Sequence, residues 1–142
     1  MMALVRKGIS NVLEYNDSHP DFPMEDEILV KYMRKWTVQA FMWGVAGSMT
    51  LKERGAFSVE LANIIPSHEI PLPGMLGQVE GGAGVPYIFI DFEVKIDDGE
   101  WQLWKKKVPQ VEIDPQKVTD ADVIIPTVDT LRHQEILCSW LS

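Results

Sequence analysis

The sequence predicts an α+β chain: about three helices in the first 65 residues, then a small antiparallel β extension and a C-terminal helix. Three observations carry this. Apolar residues recur at helical spacing in three stretches before Pro66. Residues 87–97 (YIFIDFEVKID) alternate apolar and polar with a period of two and run into Asp98–Gly99. Between these regions, residues 66–86 contain Pro66, Pro71, Pro73 and Pro86 among several glycines and show no periodicity. The expected organisation is a helical unit at 1–65, a linker or mobile loop at 66–86, and a hairpin with a following helix at 87–142.

The first helix is expected from Leu4 to Tyr15, with Val5, Ile9, Val12 and Leu13 as its apolar stripe. Pro20 and Pro23 end it, and Phe22 between them reads as a packing anchor. The second helix is expected from about Glu25 to Ala46. Its first turn is acidic, matching the positive end of the helix dipole. Leu29, Met33, Trp36, Ala40 and Trp43 form one stripe, which Val38, Phe41, Met42 and Val45 widen until the second half is apolar almost all round. Gly47 is placed to close it. Thr50-Leu-Lys-Glu53 reads as a capping box that opens a third helix to Ile65, with Phe57, Leu61, Ile64 and Ile65 buried.

Arg54 projects into the middle of that third stripe. A long cation there must reach out to solvent or find an anion, and Glu53 and Glu60 are the local carboxylates. In the β segment, a two-residue turn at Asp98–Gly99 pairs Asp97 with Glu100. Ile96 then lies opposite Trp101, and Val94 opposite Leu103, on the buried face. Trp104 falls on the outer face near Glu93, either lying flat on the sheet or covered by another part of the protein. Val108 to Ile113 offers a third strand. The apolar run Val123, Ile124, Ile125 leads through Pro126 to a helix capped by Thr127 or Asp129, with Val128, Leu131, Ile136, Leu137 and Leu141 as its apolar positions. The chain stops inside that helix, which reads as a cut through a larger protein.

The totals exclude several functions. The 142 residues are 46% hydrophobic and 24% charged, enough to fill a core. A net charge of −8 argues against nucleic-acid binding. The Lys105–Lys107 run reads as a solvated strand end, or as a patch for an acidic neighbour. No run is long enough to span a membrane, and the one cysteine, Cys138, excludes an internal disulfide. Cys138 reads as a buried inert thiol. A cytoplasmic chain is the expectation.

No catalytic set emerges and no metal ligands cluster. Asp129, His133 and Ser139 share one helix with no elbow to expose a nucleophile, and His133 reads as a capping or interface residue. Gly81-Gly-Ala-Gly84 lacks the Gly-Lys-Ser/Thr of a phosphate loop. Val123 to Thr127 could cover a flat base with its side chains and meet its edge through the backbone. An ordinary buried strand edge before a capped helix accounts for those residues equally well.

Residues 108–113 (VPQVEI) followed by 123–133 (VIIPTVDTLRH) resemble the entry to the third AAA+ module of cytoplasmic dynein heavy chains. Asn11–Val12 with residues 19–23 (HPDFP), residues 41–43 (FMW) and residues 88–104 resemble the small subdomain closing the second module and its connection onward. The resemblance covers nearly the whole chain. It implies a helical AAA+ lid-type subdomain, and a phosphate loop shortly after the last helix in the parent protein. It implies that Val123, Ile124, Ile125, Pro126 and Thr127 line the adenine side of the third module's nucleotide site. It implies that Arg54 is a sensor arginine for the second module. The fragment would bind no cofactor well alone, while the parent would use ATP/ADP with magnesium. Neighbouring AAA+ subdomains would be its partners, and microtubules only through the parent. The function implied is mechanical: a non-catalytic segment, made rigid by Trp36, Phe41, Trp43, Phe57 and Leu61, that passes movement between modules of an ATP-driven ring. The alternative is a self-contained α+β protein-binding module using the Trp104 face and the last helix.

Overall fold

The computed structural model describes residues 1–80, 84–109 and 127–141. Its elements are α1 (Met2–Ser18), α2 (Asp26–Ala46), α3 (Leu51–Ile64), β1 (Phe92–Val94), β2 (Trp101–Leu103) and α4 (Val128–Leu141). Short 3-10 turns lie at Ile65–His68, Phe89–Asp91 and Trp104–Lys107. The α+β class expected from sequence is what the structure shows. α2 is the central element: α1, α3, β1 and the 89–91 turn all pack against it, and α4 packs on α1 and the 104–107 turn.

α1 buries Leu4, Gly8 and Val12, spaced by four residues, while Ile9 and Leu13 of the expected stripe are exposed. The cause is Gly8. A Cβ there would overlap the Trp36 ring, so the bare glycine lets the indole lie on the helix and moves the buried line round by one position. Trp36 Nε1 donates to Leu4 O at 2.7 Å, and Asn11 Nδ2 donates to the Tyr32 hydroxyl at 3.0 Å. After α1 the turn closes through Phe22 N–H to His19 O and Met24 N–H to Asn16 Oδ1. Phe22 is therefore not a packing anchor: it is 82% exposed.

α2 buries Tyr32, Lys35, Val38, Gln39, Ala40, Met42, Trp43 and Ala46. Phe41 and Val45 face solvent, so its second half is not covered all round. Gly47 does sit at the C-cap, but in right-handed geometry (φ −56°), and its N–H donates to Trp43 O. The capping box of α3 is present in both halves. Thr50 Oγ1 accepts from Glu53 N–H, and Glu53 Oε2 accepts from Thr50 N–H at 2.8 Å. α3 buries Ser58 and Leu61, and Ile65 follows in the 3-10 turn; Ile64 of the expected stripe is exposed. Phe57 is half-buried against Phe41, ring centroids 6.0 Å apart. Ser58 Oγ accepts from Phe89 N–H at 3.1 Å and joins α3 to the hairpin entry.

The described part of the Pro/Gly-rich segment is tied to its surroundings. Gly77 N–H donates to Tyr87 O, Tyr87 N–H donates to Gln78 O, and Trp101 Nε1 donates to Pro71 O at 2.8 Å.

The hairpin differs from expectation in three ways. Residues 87–97 are not one strand: a 3-10 turn occupies 89–91 and β1 keeps three residues. The register pairs Phe92 with Leu103, Glu93 with Gln102 and Val94 with Trp101, leaving a four-residue loop at 96–99. A two-residue turn of type I′ needs positive φ at both positions, and Asp98 does not adopt it. Asp98 Oδ1 instead accepts from Glu100 N–H at 2.9 Å, while Gly99 (φ 62°) backs onto the main chain of Tyr32. Finally, Glu93 and Trp104 are buried, because α2, α4 and Lys107 cover the face expected to be polar. The proposed third strand lies largely outside the described residues.

α4 is capped by Thr127, whose Oγ1 accepts from Thr130 N–H at 3.2 Å. Its buried line is Arg132, Ile136 and Ser139. Leu137, Leu141 and Cys138 lie off that line and are exposed, so the buried-thiol expectation is overturned.

Candidate functional site

The corner between α2 and α3 holds the first candidate residue. The last carbonyls of a helix have no partners within it. Arg54 supplies them: Nε donates to Ala46 O at 2.9 Å and Nη2 to Gly47 O at 2.8 Å. Neither Glu53 nor Glu60 pairs with it. Glu53 is engaged by Thr50, whose hydrogen bonds hold its carboxyl below the usual glutamate range. The half-buried guanidinium is thus fixed on two sides, with Nη1 unengaged among the described residues.

Thr127, the last residue of the expected adenine-side stretch, bonds among the described residues to Thr130 and the start of α4. Val123, Ile124, Ile125 and Pro126 lie outside the described residues. No hydrogen bond joins Arg54 to Thr127.

Three clusters of buried charge were not anticipated. The first pins the hairpin to α2. Lys35, 1% exposed, donates from Nζ to Gly99 O at 2.8 Å and to Glu100 Oε2 at 2.7 Å, and Lys31 pairs with the other oxygen of Glu100. Hydrogen bonds from Lys31 and then Lys35 hold the Glu100 carboxyl below its usual range. The second pins α4. Arg132 Nη1 donates to Asp91 Oδ1 at 3.1 Å, and Nη2 pairs with Asp129.

In the third cluster Lys107 bridges Glu93 of β1 and Glu135 of α4, and Gln102 also donates to Glu93. Burial pushes the Glu93 carboxyl up despite those partners. For Lys107 desolvation is the largest single influence and lowers it, but Glu93 and Glu135 together outweigh that, so it is held above the usual lysine range. Tyr32 beside them is pushed up to about 12, by burial first, while the Asn11 hydrogen bond opposes the shift. These residues border an open polar groove of about 740 Å³ between α1, α2, β1 and α4. A sign of Lys35 is present in the sequence: it falls on the same helical face as Tyr32, Gln39 and Met42.

Among the described residues no group of three or more His, Cys, Asp or Glu is placed to hold a metal, and no helix is long and apolar enough to cross a membrane. His133 caps nothing outside its own turn: Nδ1 meets Asp129 O at 2.6 Å and the ring stands edge-on to Trp43.

Comparison with known proteins places this geometry. The family model described as "Dynein heavy chain AAA lid domain" matches residues 1–106. The chain is 49% identical over 140 residues to a cytoplasmic dynein heavy chain of Paramecium tetraurelia, covering 99% of this chain. It is 42% identical over 144 residues to that of Dictyostelium discoideum and 37% identical over 142 residues to that of Neurospora crassa. In each case the chain spans 3% of the relative's length.

Proposed function

This chain belongs to the dynein heavy chain AAA lid domain family, and on that premise we propose that it is a non-catalytic transmission segment linking two AAA+ modules, the second and third, of a cytoplasmic heavy-chain motor. The observation that carries the reading is the set of charge-assisted ties across the elements. Lys35 locks the hairpin to α2, Arg54 locks α3 to the end of α2, and Arg132 locks α4 to Asp91. Hydrogen bonds to ionised groups are the stronger ones. Elements tied this way move together, which suits a part that hands displacement from one module to its neighbour.

Within this reading Arg54 is the sensor arginine of the second module. Its Nε and Nη2 set the orientation of the guanidinium, which leaves Nη1 to meet the nucleotide. Val123 to Thr127 line the adenine side of the third module, with ATP or ADP and magnesium held mainly by other segments of the parent. Neighbouring AAA+ subdomains are the partners, and microtubules are engaged only through the whole motor. The binding-module alternative loses its Trp104 surface, since that ring is 2% exposed.

The test is a heavy-chain motor carrying this segment with Lys35→Met and Arg132→Ala. ATP turnover should persist while microtubule gliding slows several-fold. Unchanged gliding refutes the transmission role. Tight ATP binding by the 142-residue chain alone refutes the view that its nucleotide sites are partial.

A further inference from the structure

Two indole N–H groups meet the interior where α2, the 104–107 turn and α4 come together. Trp43 Nε1 and Trp104 Nε1 are buried and have no hydrogen-bond partner among the described residues, whereas Trp36 Nε1 close by donates to Leu4 O. The two tryptophans are 4% and 2% exposed. Folded proteins rarely leave such donors unmet, and where they do an ordered water or ion is a usual cause.

Both rings line one small cavity of about 20 Å³, which also has Gln39, Glu93 and Ser139 in its wall. One water needs roughly 10–15 Å³ of such space and two to four polar partners. Glu93 accepts from Gln102 and Lys107, and a carboxylate has about four lone-pair positions, so accepting capacity remains.

We infer that this cavity is a binding site for a single water molecule, which accepts from the indole N–H of Trp43 or Trp104 and donates to Glu93. Other occupants fit worse. An apolar molecule would leave both donors unmet beside a carboxylate. A cation would face two N–H groups. Water also has a route in: Trp36, Glu93 and Glu135 line both this cavity and the open groove, so Glu93 stands at the passage between them. Accepting from Trp43 the water would link α2 to β1, and accepting from Trp104 it would link the 104–107 turn to β1.

The test is water-selective NOE and ROE spectroscopy on the whole chain with 15N-labelled indoles, using Trp43→Phe and Trp104→Phe to assign the two resonances and Trp36 as the internally bonded reference. The expected result is a water cross-peak at Trp43 or Trp104 Hε1 with the ROE sign of dipolar contact and the NOE sign of a slowly tumbling, protein-bound water. Cross-peaks of chemical-exchange sign only at both resonances, or none at either, overturn the assignment.

Discussion

Removing Lys35 and removing its anion should have unequal costs, and the inequality follows from where each charge sits. Lys35 is 1% exposed, while the Glu100 side chain is 47% exposed and keeps a second partner in Lys31. In Lys35→Met the aliphatic stem is retained and Glu100 is not stranded. The loss is a charge-assisted bond and a donor for Gly99 O, about 2 kcal/mol after discounting for the half-exposed carboxylate. In Glu100→Ala the buried ammonium keeps only a carbonyl. An uncompensated buried charge typically costs about 3–5 kcal/mol, and the lower end applies here because a lysine can partly extend toward solvent. Urea unfolding followed by tryptophan fluorescence measures both variants and the double variant. The cycle should return a coupling of about 1–2 kcal/mol. If Lys35→Met costs as much as Glu100→Ala, or the coupling is below about 0.5 kcal/mol, the buried pair is not what fastens the hairpin to α2.

Gly8→Ala should destabilise by about 1–3 kcal/mol, since the new methyl displaces the Trp36 ring and breaks its bond to Leu4 O; unfolding midpoints check it. Arg54→Ala should cost about 1–2 kcal/mol, and Arg54→Lys should recover less than half of that, because one ammonium cannot span both carbonyls. Thermal unfolding by circular dichroism separates the two. Acid should act on two glutamates with opposite sign. Glu100, held below the usual glutamate range, contributes stability above the unfolded-state value and loses it as pH falls through its depressed folded value. Glu93, pushed up by burial, costs stability as pH rises from 4.5 through its raised folded value. Glu100→Gln should therefore flatten the acid side of a stability–pH curve and Glu93→Gln the stretch just above it. Curves parallel to the unmodified chain would refute both.

What could be read from the sequence was what short-range chemistry decides. The Thr50–Glu53 capping box joins residues only three positions apart, and it appears as expected. The stripe of α1 was misjudged because Gly8 has no side chain to count, and its meaning depends on Trp36 in the next helix. Asp98–Gly99 favours a two-residue turn on local grounds, yet contact with the main chain of α2 imposes a longer loop. Glu93 reads as a polar outer-face position, and no sequence expectation buries Lys35 or Arg132. The partners of Lys35, Glu93 and Arg132 lie 65, 14 and 41 positions along the chain, at Glu100, Lys107 and Asp91, and each pair joins two different elements or an element and a loop, which periodicity within one element does not report. Arg54 stood out by projection on α3, but its partners are backbone carbonyls, which no residue pattern displays.

Gly99 has a further consequence. A Cβ there would stand 3.0 Å from Tyr32 N, and its φ of 62° already disfavours any side chain. The loop tip therefore works as a spacer of fixed thickness between sheet and helix. Insertions in an exposed loop can bulge into solvent, but one residue added between Ile96 and Gly99 would lift the tip beyond the reach of the lysine beneath it. Length variation among natural versions of this segment should stop at that loop.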